Sequence, residues 1–241
     1  MTPDTWCSRW AKLLVVCDAA HFHFAASCSH LTIVYIISLQ PPELGAVSNA
    51  VDLSAIRFRA RSNPRPAFLV TSIFESHYNI ACVLRALALI QKRWPDALLT
   101  VAGDGPQREQ LRQLARDISL RNVRFVGRVP PEHMPALYDE HDVWLNGSDV
   151  DNMPTSILEA YACGLAVAST NPGGIPYIVE DGRTGRLVQC GDAEALAEAA
   201  PLFGDLTRNA LAECVKYTWK SVQPSWMRLY SELAPSDTLL L

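Results

Sequence analysis

The sequence predicts an α/β domain built on a doubly wound parallel sheet. Three observations predict it. From residue 66 onward, short apolar runs alternate with segments whose apolar residues recur at helical spacing. Strands and helices in strict alternation imply a parallel sheet covered on both faces, with right-handed crossovers. The polar and glycine-rich loops follow the strands, where an open sheet of this kind binds its ligands.

Each element has its own signal. Residues 67–71 are a short apolar strand. Residues 79–94 carry Ile80, Val83, Leu84, Leu87, Ile90 and Trp94 at helical spacing, and Pro95-Asp96 ends that helix. A second strand, 97–102, runs into Gly103-Asp104-Gly105-Pro106. Residues 107–119 form a polar helix with Leu111 and Leu114 inward. A third strand, 123–126, closes at Gly127. Residues 131–140 are a short helix and 142–145 a fourth strand. Then come a helix at 155–163, a fifth strand at 165–169, a helical turn within 174–180, a sixth strand at 186–188, and helix again from Ala193. Residues 1–45 are harder to read: His21 to Phe24 alternates like a strand, as does part of 32–38, and Pro41-Pro42 marks a break.

Composition narrows the function. With 49% hydrophobic and 19% charged residues the chain is an ordinary globular protein, long enough for one large domain or two small ones. A net charge of -4 weighs against a nucleic-acid binder. The densest basic run, Arg57, Arg59, Arg61 and Arg65, is spaced by apolar and small residues and makes no patch. Seven cysteines without a C-x-x-C argue against a metal site or a disulfide framework, and for buried thiols in a reducing compartment. His21 and His23 share a strand face, but no further ligand completes a metal set. No secretory leader pattern is visible. The apolar run 31–39 is shorter than the roughly 20 residues that span a bilayer. The expectation is a cytoplasmic protein, with a peripheral membrane contact left open.

The chemistry concentrates between Asp151 and Gly174, in D-N-M-P-T-S-I-L-E-A-Y-A-C-G-L-A-V-A-S-T-N-P-G-G. Pro154 suits a first helical turn, where its missing N–H costs nothing. The backbone N–H groups of Thr155 and Ser156 then point out of the helix end and, with the helix dipole, suit an anion such as a diphosphate. Glu159, further along, could accept hydrogen bonds from vicinal hydroxyls as in a ribose, and Asp151 could do the same for a hexose. A second reading also fits: Ser156-x-x-Glu159 as a capping box and Asn152 as an N-cap. Gly173-Gly174 suits either a close backbone approach to a ligand or a positive φ. Nucleotide-binding and hydrolase signatures of the P-loop, G-x-G-x-x-G, G-x-S-x-G and H-E-x-x-H types are missing from the sequence.

The window Asp151-x7-Glu159-Ala160-Tyr161-Ala162-Cys163-Gly164 resembles the signature of the carboxyl-terminal, donor-binding domain of retaining group-1 glycosyltransferases with the GT-B fold. Further pieces stand in family order: Leu99 to Gly105, Val123 to Gly127, Gly173-Gly174-Ile175-Pro176, Asp181-Gly182-x-Thr184-Gly185-x-Leu187-Val188, and Tyr217-Thr218-Trp219 with Leu229-Tyr230. The resemblance covers residues 49–232. It implies a single Rossmann-like GT-B half spanning 48–203, an N-terminal segment 1–47 that is unassigned or a remnant of an acceptor domain, and a helical C-terminal segment 204–241.

The resemblance also implies a function. A nucleotide-diphosphate sugar would be the co-substrate and a hexosyl group would pass with retention to an unknown acceptor, lipid-linked or saccharide. No tightly bound metal and no other cofactor would be needed. Asp151 and Glu159 would hold the hexose and the ribose. The donor would also meet Ser72, Tyr78, Gly103, Gly105, Gly127, Arg128, Asn152, Met153, Pro154, Thr155, Ser156, Gly173 and Gly174. A separate N-terminal acceptor domain would be the partner. Asp151 replaces the family's usual glutamate, and Ser72 and Tyr78 stand where the family has an arginine and a lysine. One charge-assisted contact is worth about 1.5–3 kcal/mol. Those two positions therefore leave two readings side by side: a working transferase, or a non-catalytic sugar-nucleotide module or half of a split enzyme.

Overall fold

Six parallel strands form the sheet that the alternation predicts. The computed structural model describes residues 13–16, 35–38, 48, 50–61, 64–200 and 205–233. In chain order the elements are β1 (Leu13–Val16), β2 (Tyr35–Ser38), β3 (Ala67–Thr71), α1 (Ile80–Arg93), β4 (Leu98–Ala102), α2 (Arg108–Asp117), β5 (Val123–Gly127), α3 (Met134–Asp139), β6 (Val143–Asn146), α4 (Thr155–Cys163), β7 (Ala166–Thr170), β8 (Arg186–Val188), α5 (Ala193–Ala199), α6 (Asp205–Cys214) and α7 (Trp219–Leu233). Sheet order is β5-β4-β3-β6-β7-β8. The chain starts at β3, builds outward to β5, then returns to lay β6 against the other side of β3. That reversal puts the topological switch point between the β3 and β6 carboxyl ends.

Side-chain alternation fixes the two faces. Phe68, Val70, Val143 and Leu145 join one core cluster with Leu84, Leu87 and Leu196. Helices α1 and α5 contact each other there. Helix α4 contacts α3 and α6 as a second group. Helix α1 shows why these residues fold so. Asn79 sits in the left-handed region at φ 40°, and its side chain accepts from Cys82 N. Lys92 and Arg93 in the last turn suit the negative end of the helix dipole. Val83, Leu84 and Leu87 are fully buried, and each such side chain stabilises the fold by roughly 1.5–3 kcal/mol. The helix expected at 131–140 divides into a 3-10 turn, Pro131–His133, and α3, because Pro130, Pro131 and Pro135 supply no N–H donors. The turn expected within 174–180 is the single 3-10 turn Ile175–Tyr177.

The chain divides into two compact units, residues 52–215 and residues 1–51 with 216–241. The first holds the six-stranded sheet and α6. In the second, β1 and β2 pair antiparallel, Leu13 opposite Ser38. Val51 bridges Thr218 in the same unit, with Val51 N donating to Tyr217 O at 2.9 Å. Trp226 Nε1 donates to Ser48 O. His21, His23, Cys7, Cys17, Cys28 and the strand expected at 21–24 lie outside the described residues. Cys82, Cys163 and Cys214 are buried free thiols. Burial pushes them up, to about 11, about 12 and about 11. Cys190 is exposed. Among the described residues no helix is long and apolar enough to cross a membrane.

The amino ends of the strands are locked by charge. Asp142, just before β6, has a side chain 2% exposed, and Arg59, Arg61 and Arg65 all bind it. Burial pushes its carboxyl up, but the bonds from Arg65 and then Arg59 outweigh it and hold it below the usual carboxylate range. Three arginines of the basic run, Arg59, Arg61 and Arg65, thus form a clasp. Beside it, His141 is fully buried. Its Nδ1–H donates to Leu137 O at 2.7 Å, and Nε2 meets Thr100 Oγ1 at 2.8 Å. Burial holds its pKa below the ordinary value. The unfolded chain therefore takes up a proton that the folded chain refuses. The stability this neutral ring contributes is complete above about pH 6.5 and is lost as pH falls through the depressed folded value. Melting temperature should fall more steeply from pH 7.5 to 5.5 in the wild type than in His141→Gln; parallel curves would refute the assignment.

Candidate functional site

The carboxyl ends of the strands carry a rim of loops, and each loop is tied to its neighbour in the sheet. Gly127 O, at the end of β5, accepts from Gly103 N after β4 at 2.8 Å. The β4 loop in turn meets the β3 loop: Phe74 N donates to Asp104 O, and Gln107 N to Phe74 O. A Cβ on Gly103 would lie 1.8 Å from Ser72 O, and one on Gly105 2.8 Å from the Phe74 backbone. The β3 loop then meets the β6 loop across the switch point. Asp149 N donates to His77 O at 2.7 Å, and Asn79 Nδ2 to Asp149 Oδ2 at 3.0 Å. Finally the β7 loop meets the same segment: Gly174 N donates to Asp151 O at 3.1 Å.

Gly173-Gly174 has a reason the sequence did not reveal. A Cβ on Gly174 would lie 1.9 Å from Asn152 O, and Gly173, at φ +52°, would bring one 2.3 Å from Asp151 O. The doublet lets the chain press against its own backbone at Asp151 and Asn152. Beneath, buried Asn146, Ser148, Ser169 and Thr170 hold the β6 loop: Asn146 Nδ2 donates to Ser169 Oγ, Ser148 Oγ to Asn146 Oδ1, and Thr170 Oγ1 to Ser148 O. Asp151 itself is buried, 8% exposed.

The start of α4 corrects the sequence reading. The helix begins at Thr155, so Pro154 takes the N-cap position, one before the first turn, with no side chain capping the end. Asn152 is not the N-cap, and Ser156-x-x-Glu159 is not a capping box. The helix end carries the half-buried residues Thr155 and Ser156. One turn on, Glu159 is also half-buried, and its Oε2 accepts from Tyr138 Oη at 2.7 Å. Tyr138, on α3, is fully buried. Its hydroxyl also lies 3.4 Å from Thr71 Oγ1, which accepts from Trp144 Nε1 at 3.0 Å. Burial, then the neighbouring Glu159, pushes the Tyr138 phenol well above its ordinary pKa. In the sequence Tyr138 has only a place in a short helix; its carboxylate partner lies 21 positions away.

The other expected site residues lie on or beside the rim. Half-buried Ser72 donates from its hydroxyl to Ile73 O, and Tyr78 packs against His77 with the rings tilted by 45° and their centroids 4.2 Å apart. Both stand in the β3 loop, at the switch point. Met153 is buried beside half-buried Asn152 and Pro154. Gly127 ends β5, and Arg128 follows it, exposed. Of the rim cations, Arg108 is paired with Asp104 at 3.2 Å. His77, which the sequence did not single out, has a buried Nε2 with no hydrogen-bond partner among the described residues.

Residues 54–217 match the family model described as Glycosyl transferases group 1. The chain belongs to the group 1 glycosyl transferases. Among curated group 1 relatives, it is 30% identical over 188 residues to the GDP-mannose-dependent alpha-(1-6)-phosphatidylinositol monomannoside mannosyltransferase of Mycolicibacterium smegmatis, covering 74% of this chain and 49% of that protein. This group 1 chain thus spans about half the length of the curated relatives it matches. In structure it is similar to Anabaena Alr3699/HepE in complex with UDP and glucose, with TM-score 0.67 and 20% identity over 77% of this chain and 56% of that one. It is also similar to the C-terminal domain of the Francisella tularensis group 1 protein LpcC, with TM-score 0.54 and 18% identity over 71% of this chain and 96% of that one. These likenesses give the group 1 chain the Rossmann-like fold of a GT-B half.

Proposed function

We propose that this chain binds a nucleotide-diphosphate sugar in the crevice between the β3 and β6 loops and donates its hexosyl group, with retention, to a lipid-linked or saccharide acceptor. One observation carries the reading: on α4 an uncapped helix end, suited to a diphosphate, lies one turn from a carboxylate on the sheet's switch point. Glu159 takes the ribose hydroxyls and Asp151 the hexose. Thr155 and Ser156 offer backbone N–H groups to the phosphates, with Asn152, Met153 and Pro154 leading into that turn. Ser72, Tyr78, Gly103, Gly105, Gly173 and Gly174 wall the crevice, and the stretch from Phe125 through Gly127 to Arg128 borders the base. The nucleotide sugar is the co-substrate, and no resident cofactor enters.

The dependence of the M. smegmatis mannosyltransferase on GDP-mannose and the UDP and glucose in the HepE structure support the donor class. Exposed Ile73 and Val150 on two rim loops and Val126 near the carboxyl end of β5, with Tyr177 just beyond a further loop, support a separate acceptor domain that covers this edge. A cytoplasmic site peripheral to the membrane accords with a lipid-linked acceptor. The uncharged side chains of Ser72 and Tyr78 favour a second reading, in which the chain holds the donor without turning it over. A thermal-shift panel of UDP, GDP and ADP tests the binding shared by both readings, and a shift of several degrees with one of them is expected; no shift with any would overturn it. Transfer of labelled sugar after addition of an N-terminal half from a relative separates the two.

A further inference from the structure

We propose that Tyr138 is the positioning residue that presets the Glu159 carboxylate for a vicinal diol, with Trp144 and Thr71 fixing the direction of the hydrogen bonds that reach it. The inference rests on the reading of Glu159 as the ribose holder. Four groups form the chain of bonds: Trp144 Nε1, Thr71 Oγ1, Tyr138 Oη and Glu159 Oε2, at 3.0, 3.4 and 2.7 Å. Its polarity follows from the donor inventory. An indole N–H only donates, so Thr71 accepts from Trp144 and keeps its own proton to give. Tyr138 has one proton, and the shortest of the three contacts gives it to Glu159. At the longer Thr71–Tyr138 contact the donor is therefore Thr71. A carboxylate only accepts, so the chain ends there. Each donor in such a series strengthens the next.

Burial makes the arrangement durable. Tyr138 is 0% and Trp144 1% exposed, so water does not compete for their polar atoms. A phenol so deeply buried needs an acceptor, and the close one here is a rim carboxylate; the backbone carbonyl of Ser156 lies farther off, at 3.5 Å. The bond holds one rotamer of a side chain that would otherwise sample many, which lowers the ordering cost when a ligand arrives. Oε1 has no hydrogen-bond partner among the described residues, and it is the oxygen left for the incoming hydroxyls.

The test uses the full chain, the variant Tyr138→Phe, and calorimetric titration with GDP and UDP beside their 2′,3′-dideoxy counterparts. Wild type should prefer the ribose form. Tyr138→Phe should weaken the ribose form about tenfold and the dideoxy form less than twofold, so the preference shrinks about tenfold. Equal weakening of both forms means general damage and overturns the inference, as does an undiminished preference. Should Tyr138→Phe fail to fold, Thr71→Val, which removes the upstream donor, should shrink the preference about threefold; no change there overturns it too. A wild type that binds ribose and dideoxy forms alike shows instead that Glu159 does not hold the ribose, a failure visible without any variant.

Discussion

Glu159→Ala is expected to abolish nucleoside diphosphate binding. On the proposed reading, two hydrogen bonds from ribose hydroxyls to a charged acceptor would be lost at once. At about 1.5–3 kcal/mol each, they correspond to a loss of about a hundredfold or more in affinity. The same substitution leaves the buried Tyr138 hydroxyl without its acceptor, so the unliganded protein should also lose about 1–3 kcal/mol. Glu159→Gln separates the two effects. Its carbonyl can still accept from Tyr138, so stability should stay near wild type, while its amide offers the diol a donor in place of an acceptor. Calorimetric titration of both variants, with chemical denaturation alongside, makes the comparison. Undiminished affinity in Glu159→Gln would show that the ribose is held elsewhere.

The second large effect lies at the opposite end of the strands. Asp142→Ala should destabilise the chain by about 3–5 kcal/mol, because it strands a buried cation. Arg61, with a side chain only 2% exposed, keeps bonds to the carbonyls of Arg59, His141, Tyr138 and Cys163 but loses its carboxylate. Asp139→Ala is the control. Its carboxylate also pairs with Arg59, but it is 61% exposed, and an exposed pair is worth at most about 1 kcal/mol. Urea denaturation should rank the two variants in that order. Losses of equal size would mean that the clasp is not what holds residues 59–65 to the sheet.

What could be read in advance follows the range of the interactions. Periodicity and punctuation are local, and they placed β3, α4 and β8 to the residue. Neighbouring strand ends drifted by one residue, since the last ladder bond depends on the adjacent strand. The family followed from short motifs, which are local as well. Contacts across crossovers were not legible. Three of the four arginines of the basic run, Arg59, Arg61 and Arg65, meet Asp142 about eighty positions on, and Thr71 meets Trp144 73 positions on. Alternation says which face a residue takes, never which partner waits there. Gly173-Gly174 signals tolerance of close approach in the sequence, but what approaches in the fold is the backbone of Asp151 and Asn152.

Val51 and Tyr217, joined backbone to backbone, flank the two ends of the sheet unit, 52–215. The chain enters that unit just after Val51 and leaves it just before Tyr217, and the two are a hydrogen bond apart. A unit whose ends meet can be lifted out, permuted or set into another host chain without stretching either backbone. For a protein engineer residues 52–215 are thus a cassette, with the residues that flank its two ends already side by side.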